Sequence, residues 1–405
     1  MTKRTLMRSQ LLVLASTLCA SILLPGPLQA QRNYYIATEI GGFGGRTTYA
    51  YGMNNRGDVV GVATTPVAES SQAFLYRNGS TSHLGTLYGR RESMAMAIND
   101  AGAIVGRCGV PFLYEEGVMQ DITLYLGGES GQAIAINSKG GVLGAVNSTS
   151  SGLVAFYYDS HGIVPIVWMF QPSGPANWTL NEVMDMNDSG MIIGSAGSSD
   201  GSHGFLLNGT NVTDLGVYAI PRAINNLGDV VGNWNGSIMV WSGTNSQNLP
   251  IWNATPRDIN DSGQIVGTEY AGGSQRPFLY DLDTKFVLES LILGTNLTGV
   301  TLIDVNCINN NRQIAVVGTS GYNNTLKYRS FLLTPVPIIR NATNSSASTM
   351  NLTFWSMTNH TYTVQSSAEP SVWKDLTNVS GIAGDLTIPV ATTNGPQRFY
   401  RVRMD

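Results

Sequence analysis

One frame recurs along most of this chain and limits what it can fold into. Asn-x-x-Gly, closed three to four residues on by an apolar residue and a second Gly, opens at Asn54, Asn99, Asn137, Asn187, Asn225 and Asn260. Its turn glycines are Gly57, Gly102, Gly140, Gly190, Gly228 and Gly263. A worn seventh copy opens at Asn309, with Arg312 in the glycine position and the closing Gly318 two residues late. The copies start 35 to 50 residues apart, a period that belongs to propellers, solenoids and arrays. An Asn side chain can accept from a backbone N–H two residues on, and Gly takes a positive φ without the clash a Cβ brings, so each frame reads as a tight turn between two strands.

The residue before the Asn is apolar in every copy: Met53, Ile98, Ile136, Met186, Ile224, Ile259 and Ile308. That places it on the inward face of a short strand. In the Asn260 copy a second strand, Gln264 to Thr268, follows the turn, and a third apolar run, Pro277 to Tyr280, comes after a loop. A further strand, such as Val118 to Ile122 in the second copy, leads through a Gly-rich link to the next repeat. Four short antiparallel strands per repeat and seven repeats predict an all-β fold, a seven-bladed β-propeller over residues 31–335. Tyr34 to Ile40 reads as a fourth strand without a blade, while the last repeat runs into Pro335 and Pro337 without a fourth strand. The N-terminal strand is therefore expected to complete the last blade and close the ring, covering two open sheet edges.

The run Ile-Asn-x-x-Gly-x-Ile-Val-Gly, then Ala73-Phe74-Leu75-Tyr76 and Leu84-Gly85-Thr86-Leu87, resembles the bacterial extracellular repeats called the HAF family. The likeness covers about residues 34 to 335 and implies a secreted β-propeller with no shared catalytic residues. The signature His survives only at His203.

Residues 1–30 read as a secretory signal: Lys3, Arg4 and Arg8, an apolar run from Leu11 to Leu24, then Pro25-Gly26 and Ala30. Together with the resemblance this points to an extracellular, periplasmic or cell-surface location. No later stretch is long and apolar enough to span a membrane. The formal charge is −4, and −7 without the three basic residues of the leader, which argues against a nucleic-acid partner. Beyond the leader only Cys108 and Cys307 remain, at different strand positions, so no disulfide framework is expected. From 336 the repeat is lost. After a polar stretch, Asn341 to Ser348, strands are expected at Met350 to Trp355, Tyr362 to Ser366, Leu386 to Pro389 and Arg398 to Arg403. This end resembles small fibronectin-like C-terminal modules of secreted bacterial proteins.

Candidate chemistry is sparse, since only 12% of residues are charged. Asp185 and Asp258 stand two residues before their turn Asn. A catalytic reading places them at the central channel, and a structural one, preferred here, has them accept hydrogen bonds from a neighbouring blade. Arg222 and Arg257 recur three residues before the Asn, as a charged pair or rim contact rather than an anion site. The four His show no metal-ligand spacing, Asn-Asp-Ser-Gly lacks the distal Glu of a calcium loop, and no cofactor motif is present. The glycine-rich Gly41 to Gly45 precedes a strand rather than the helix of a phosphate loop. Two links carry extra length, His161 to Glu182 and Asp281 to Asp304. The first holds Trp168, Phe170 and Trp178, rings that either stack on a polysaccharide or anchor a cell-surface protein, or else fold back onto the blades. The leading expectation is a non-catalytic binding protein. The competing one is a glycan hydrolase or lyase using Glu69, Glu92, Glu129, Glu182 or Glu269 at a channel mouth, and a third is a self-associating surface protein.

Overall fold

A computed structural model of the protein describes residues 13–15, 34–66, 70–123, 128–148, 152–167, 178–294, 297–322, 325–337, 339–346, 349–358, 360–369, 372–382, 384–391 and 398–404. Within them the fold is all-β, apart from short helical turns such as Leu288–Leu291. The chain divides into two compact units, one made of Ala37–Ser290 and Asn296–Leu333, the other containing Thr334–Asp405.

The repeats build four-stranded antiparallel sheets in chain order. Repeat six is typical: Ala254–Ile259, Ile265–Ala271, Ser274–Asp281 and Thr284–Val287 lie side by side in sequence. Repeats one to five have the same order. In the seventh sheet Val300–Ile308, Ile314–Ser320 and Lys327–Pro335 are followed by Tyr35–Ile40 as the next strand. The two deficits seen in the sequence thus meet in one sheet, and Glu39 on the added strand forms an ion pair with Arg329. That sheet also gains Ile292–Leu293, parallel to Tyr35–Ile36, which the sequence pattern did not signal.

Six of the seven repeat sheets are stitched by the Phe of the third strand, and repeat five carries Met239 in that place, opposite Gly232. Phe74, Phe112, Phe156, Phe205, Phe278 and Phe331 are all essentially inaccessible, each burial contributing about 1.5–3 kcal/mol. The second Gly of the frame exists to receive this ring: a Cβ at Gly267 would stand 2.7 Å from the Phe278 ring and 2.5 Å from the Thr255 carbonyl. Repeat seven solves the packing differently. Val316, opposite Phe331 and Val305, occupies that position, and Gly318 is not a displaced equivalent but makes room for Val300, whose Cγ1 its Cβ would meet at 2.5 Å. Neighbouring sheets share their cores. Ile40, Ala50 and Phe74 from the start of the chain pack in one cluster with Cys307, Ala315 and Leu332 from the last repeat.

The other unit carries two sheets over one core of Met350, Leu352, Phe354, Tyr362, Val364, Ile388, Val390 and Tyr400. One sheet is Ile339–Ser346, Thr349–Ser356 and Gly384–Ala391, and the other pairs Arg398–Met404 with Thr361–Glu369 and then Val372–Ser380. The stretch Asn341 to Ser348, expected as a polar connection, is for the most part the edge strand Ile339–Ser346. Its side chains are mainly exposed, so its backbone pairing left no hydrophobic trace. Most of residues 1–30, the stretch expected to be a secretory signal, lies outside the described residues. Val13–Ala15 within it pairs antiparallel with Arg398–Tyr400. No described helix is long and apolar enough to cross a membrane.

Candidate functional site

The first strand of every repeat runs from a link at one end to the Asn turn at the other. The turn ends converge on a cavity of about 180 Å³, lined by the Asn of six repeats and the residue before it in all seven, from Met53 to Ile308. Each Asn has two jobs. In repeat six the Oδ1 of Asn260 accepts from the N–H of Ser262 at 3.1 Å and of Gln264 at 3.0 Å, and Gly263 takes φ +73°. The amide then reaches sideways. Nδ2 of Asn54, Asn99, Asn187, Asn225 and Asn260 each donates to the backbone carbonyl of the Asn in the next turn, at 3.0–3.2 Å. Asn309 donates to the carbonyl of Asn54 at 3.0 Å, returning from the last turn to the first. A second set follows the same path through the next residue: Ser138 N–H to Asp188, Asp188 to Asn226, Asn226 to Asp261, Asp261 to Asn310 and Asn310 to Asn55, at 2.7–3.0 Å. Arg312 keeps the glycine geometry, with φ +61° and its N–H donating to Asn309 O at 2.9 Å.

Asp185 and Asp258 lie just above these turns. Asp185 accepts from its neighbour Met186 N–H at 2.8 Å and from Ile224 N–H of the next repeat at 3.1 Å. Asp258 does the same with Ile259 and Ile308, both at 2.8 Å. Burial pushes Asp185 up to about 6 and Asp258 up to about 8, against the pull of these donors. Both carboxyls are used in joining repeats, and their raised proton affinity is a consequence of that position.

All seven first strands contain the same β-bulge. One residue, three before the Asn, is skipped in pairing with the second strand: Tyr51, Met96, Ile134, Met184, Arg222, Arg257 and Asn306. Bulges re-aim side chains and strengthen local twist. Beyond them, five or six residues and so roughly 15–20 Å from the turns, the link ends open into a cavity of about 540 Å³. Ser93, Met94, Gln132, Ile134, Glu182 and Arg107 are among its walls. Nearby, Arg257 pairs with Asp304 at 3.3 Å, which also accepts from the hydroxyls of Tyr49 and Thr268 at 2.7 Å. Burial, then Asp304, holds the Tyr49 phenol above its usual range. Burial, then the neighbouring Arg257, lowers Arg222.

Of the carboxylates expected at a channel mouth, Glu92 and Glu182 line this cavity. Glu269 is buried in an ion pair with Lys285, while Glu69 and the Glu129 side chain lie outside the described residues. So do Trp168 and Phe170. Trp178 packs on the core of repeats three and four and tilts over His203 at 4.6 Å between ring centroids. His203 itself is buried between Asp214 and Asp200, each 3.1 Å from a ring nitrogen. Burial alone would lower its pKa, but the two carboxylates outweigh it and raise it. The sequence reading missed the lateral reach of the Asn amides and the shared bulge. Arg222 and Arg257 share the bulge position, but the other five repeats carry Tyr, Met, Ile, Met and Asn there, so no residue type signals it. Among the described residues no group of three or more His, Cys, Asp or Glu is placed to hold a metal ion.

No protein-family model matches the sequence, and no curated protein matches it. Solved structures with a related course of chain are distant. A prolyl endopeptidase aligns over 80% of this chain and 54% of its own at 9% identity and a TM-score of 0.41, so the chain spans about half the length of that protein. The tricorn protease aligns over 79% of this chain and 43% of its own at 9% identity and a TM-score of 0.19. An exo-β-1,3-galactanase from Phanerochaete chrysosporium, solved with β-1,3-galactotriose, aligns over 92% and 96% of the two chains at 10% identity and a TM-score of 0.26. Likeness at this level carries no functional inference.

Proposed function

We propose that this chain is a secreted, seven-bladed β-propeller of the HAF type, closed by Tyr35–Ile40 and followed by a fibronectin-like module, and that it binds glycan at the link end of its channel without catalysing a reaction. The hydrogen-bonded return from Asn309 to Asn54 supports the closed ring. The single observation that carries the binding role is the 540 Å³ cavity, where uncharged polar Ser93 and Gln132 alternate with apolar Met94 and Ile134. Such a wall suits a sugar, which offers hydroxyls at its edge and C–H groups on its face. Trp168 and Phe170 of the 161–182 link are assigned to the same task, while Trp178, expected to share it, packs on the core of repeats three and four instead. A polysaccharide array scored for both retention and product release tests this reading. Retention without release, weakened by Gln132→Ala, is expected; no retention of any glycan overturns it.

A second reading, glycan cleavage, draws on one observation: Glu92 and Glu182 share that cavity. Glycosidases place two carboxyls about 5–9.5 Å apart across the scissile bond. Product release abolished by Glu92→Gln and Glu182→Gln would establish it in place of pure binding.

A further inference from the structure

The two ends of the repeats differ in the large side chains they leave in water. Among the described residues the exposed aromatic rings are Tyr88, Tyr218, Trp252, Tyr270, Tyr322 and Tyr328. Each lies on a link between repeats or at the loop joining the second and third strands of one. In a four-stranded antiparallel sheet laid down in chain order, both kinds of connection emerge at the end opposite the Asn turns. The exposed apolar residues on the hairpin turns of the Asn end, Val118, Leu227 and Leu282, are aliphatic. Large rings are highly buried on average, so their segregation in solvent at one end needs a reason. Two of them are also held against backbone preference. Tyr88 and Tyr218 stand at φ +52° and +60°, where a bulky residue is an outlier, yet both rings remain exposed.

Trp252 and Tyr270 are the pair whose setting is best defined. Trp252 ends the fourth strand of repeat five, Asn245–Trp252, and Tyr270 lies near the end of the second strand of repeat six, Ile265–Ala271. The N–H of Tyr270 donates to the carbonyl of Asn253 at 2.8 Å, which holds the two segments side by side across the boundary between repeats. The rings are 61% and 62% exposed. Their surroundings decide what they suit. Asn253, Ser274, Gln275 and Arg276 are exposed around them, and Gln275 is the partner of Tyr270 across its hairpin. No large aliphatic side chain of these four strands is exposed beside the pair. The core of a protein interface is apolar and closed to water, whereas here each ring has hydrogen-bonding groups at its edge. A sugar matches that pattern, laying a C–H face on the ring and turning its hydroxyls to the amides and hydroxyl beside it.

We infer that Trp252 and Tyr270 form a second glycan contact, a stacking platform on repeats five and six, and that the molecule bound is an extended polysaccharide reaching from it to the 540 Å³ cavity of repeats one to four. The inference rests on the proposed glycan role of the link end and adds a requirement for chain length. An array carrying each polysaccharide beside its own disaccharide, probed with the full chain, tests it. Retention of the parent should rise from disaccharide to polymer. Trp252→Ala and Tyr270→Ala should each weaken retention on the polymer about tenfold, the loss of one stacked ring, and remove that rise, while Trp252→Phe keeps it. Thermal unfolding should be unchanged in both Ala variants, because the rings are exposed. If both Ala variants are retained like the parent while Gln132→Ala is not, the platform is overturned and the cavity remains the glycan site. If no polysaccharide retains the parent, the platform and the glycan reading fall together.

Discussion

The two ends of the repeats are built on opposite plans. At the turn end each copy presents the same Asn, a residue at positive φ three positions later, and hydrogen bonds to the next copy. The space left between them is about 180 Å³. At the link end the copies diverge into Tyr51, Ile134, Arg222 and Asn306 at one shared bulge position, and a cavity three times larger opens. Identity among repeats marks what holds them to one another, and difference among them marks the end where the glycan site is proposed. Substitutions at the turn end should therefore cost stability, and those at the link end should cost binding.

The largest effect is expected at Asn260. Its amide accepts from two backbone N–H groups and donates to Asn309 O and Gln264 Oε1. Asn260→Ala leaves several buried partners unsatisfied and should destabilise by about 2–4 kcal/mol, read by urea unfolding. A change under about 0.5 kcal/mol, the size of an ordinary surface substitution, would show that the lateral bonds are dispensable.

Next come the turn residues. A Cβ at Gly263 meets nothing within 4 Å, so Gly263→Val tests backbone strain alone and should cost about 1–3 kcal/mol. Arg312 already sits at φ +61°, and Arg312→Gly should be neutral or stabilising by up to about 1 kcal/mol. Marked destabilisation by that change would mean that the Arg312 side chain, not its backbone, holds the seventh turn.

The buried carboxyls give a pH signature. Asp258 titrates at about 8 when folded against 3.8 as a free side chain, so the folded state holds the extra proton and stability falls as pH rises across that window. His203, also raised, acts in the same direction. The melting temperature should decline between pH 5 and 9, and Asp258→Asn should flatten the decline. A slope unchanged by Asp258→Asn assigns it elsewhere.

The smallest effect on stability belongs to the link end. Arg222→Gln and Glu182→Gln should each lie within about 0.5 kcal/mol of the parent, while altering retention on a glycan array. Retention equal to the parent in both variants would leave the link end without a role.

Much of the repeat body was legible because its elements obey local rules. The apolar residue before each Asn, the turn glycine and the Phe of the third strand all lie within one period, and each has a single physical reason. The unpaired strand Tyr34 to Ile40 was legible as a deficit matched by the last repeat. What stayed hidden depends on contacts between copies or on backbone alone. The Asn amides bond residues 35 to 49 positions away, the bulge leaves no residue type of its own, and the polar edge strand Ile339–Ser346 bonds through its main chain. The candidate site was legible only in Glu92, Glu182 and the bulge arginines, because the link end is where the repeats stop agreeing.

The central claim is that the repeats close into a ring through Tyr35–Ile40, and removing that strand tests it most directly. A chain beginning at Gly42 would expose the edge of Lys327–Pro335, whose unpaired N–H and C=O groups invite another chain. Thermal unfolding and sedimentation of this variant beside the parent decide the matter. A closed ring requires a lower melting temperature together with association. An unchanged melting temperature and a monomer would contradict it and favour an open array of seven sheets.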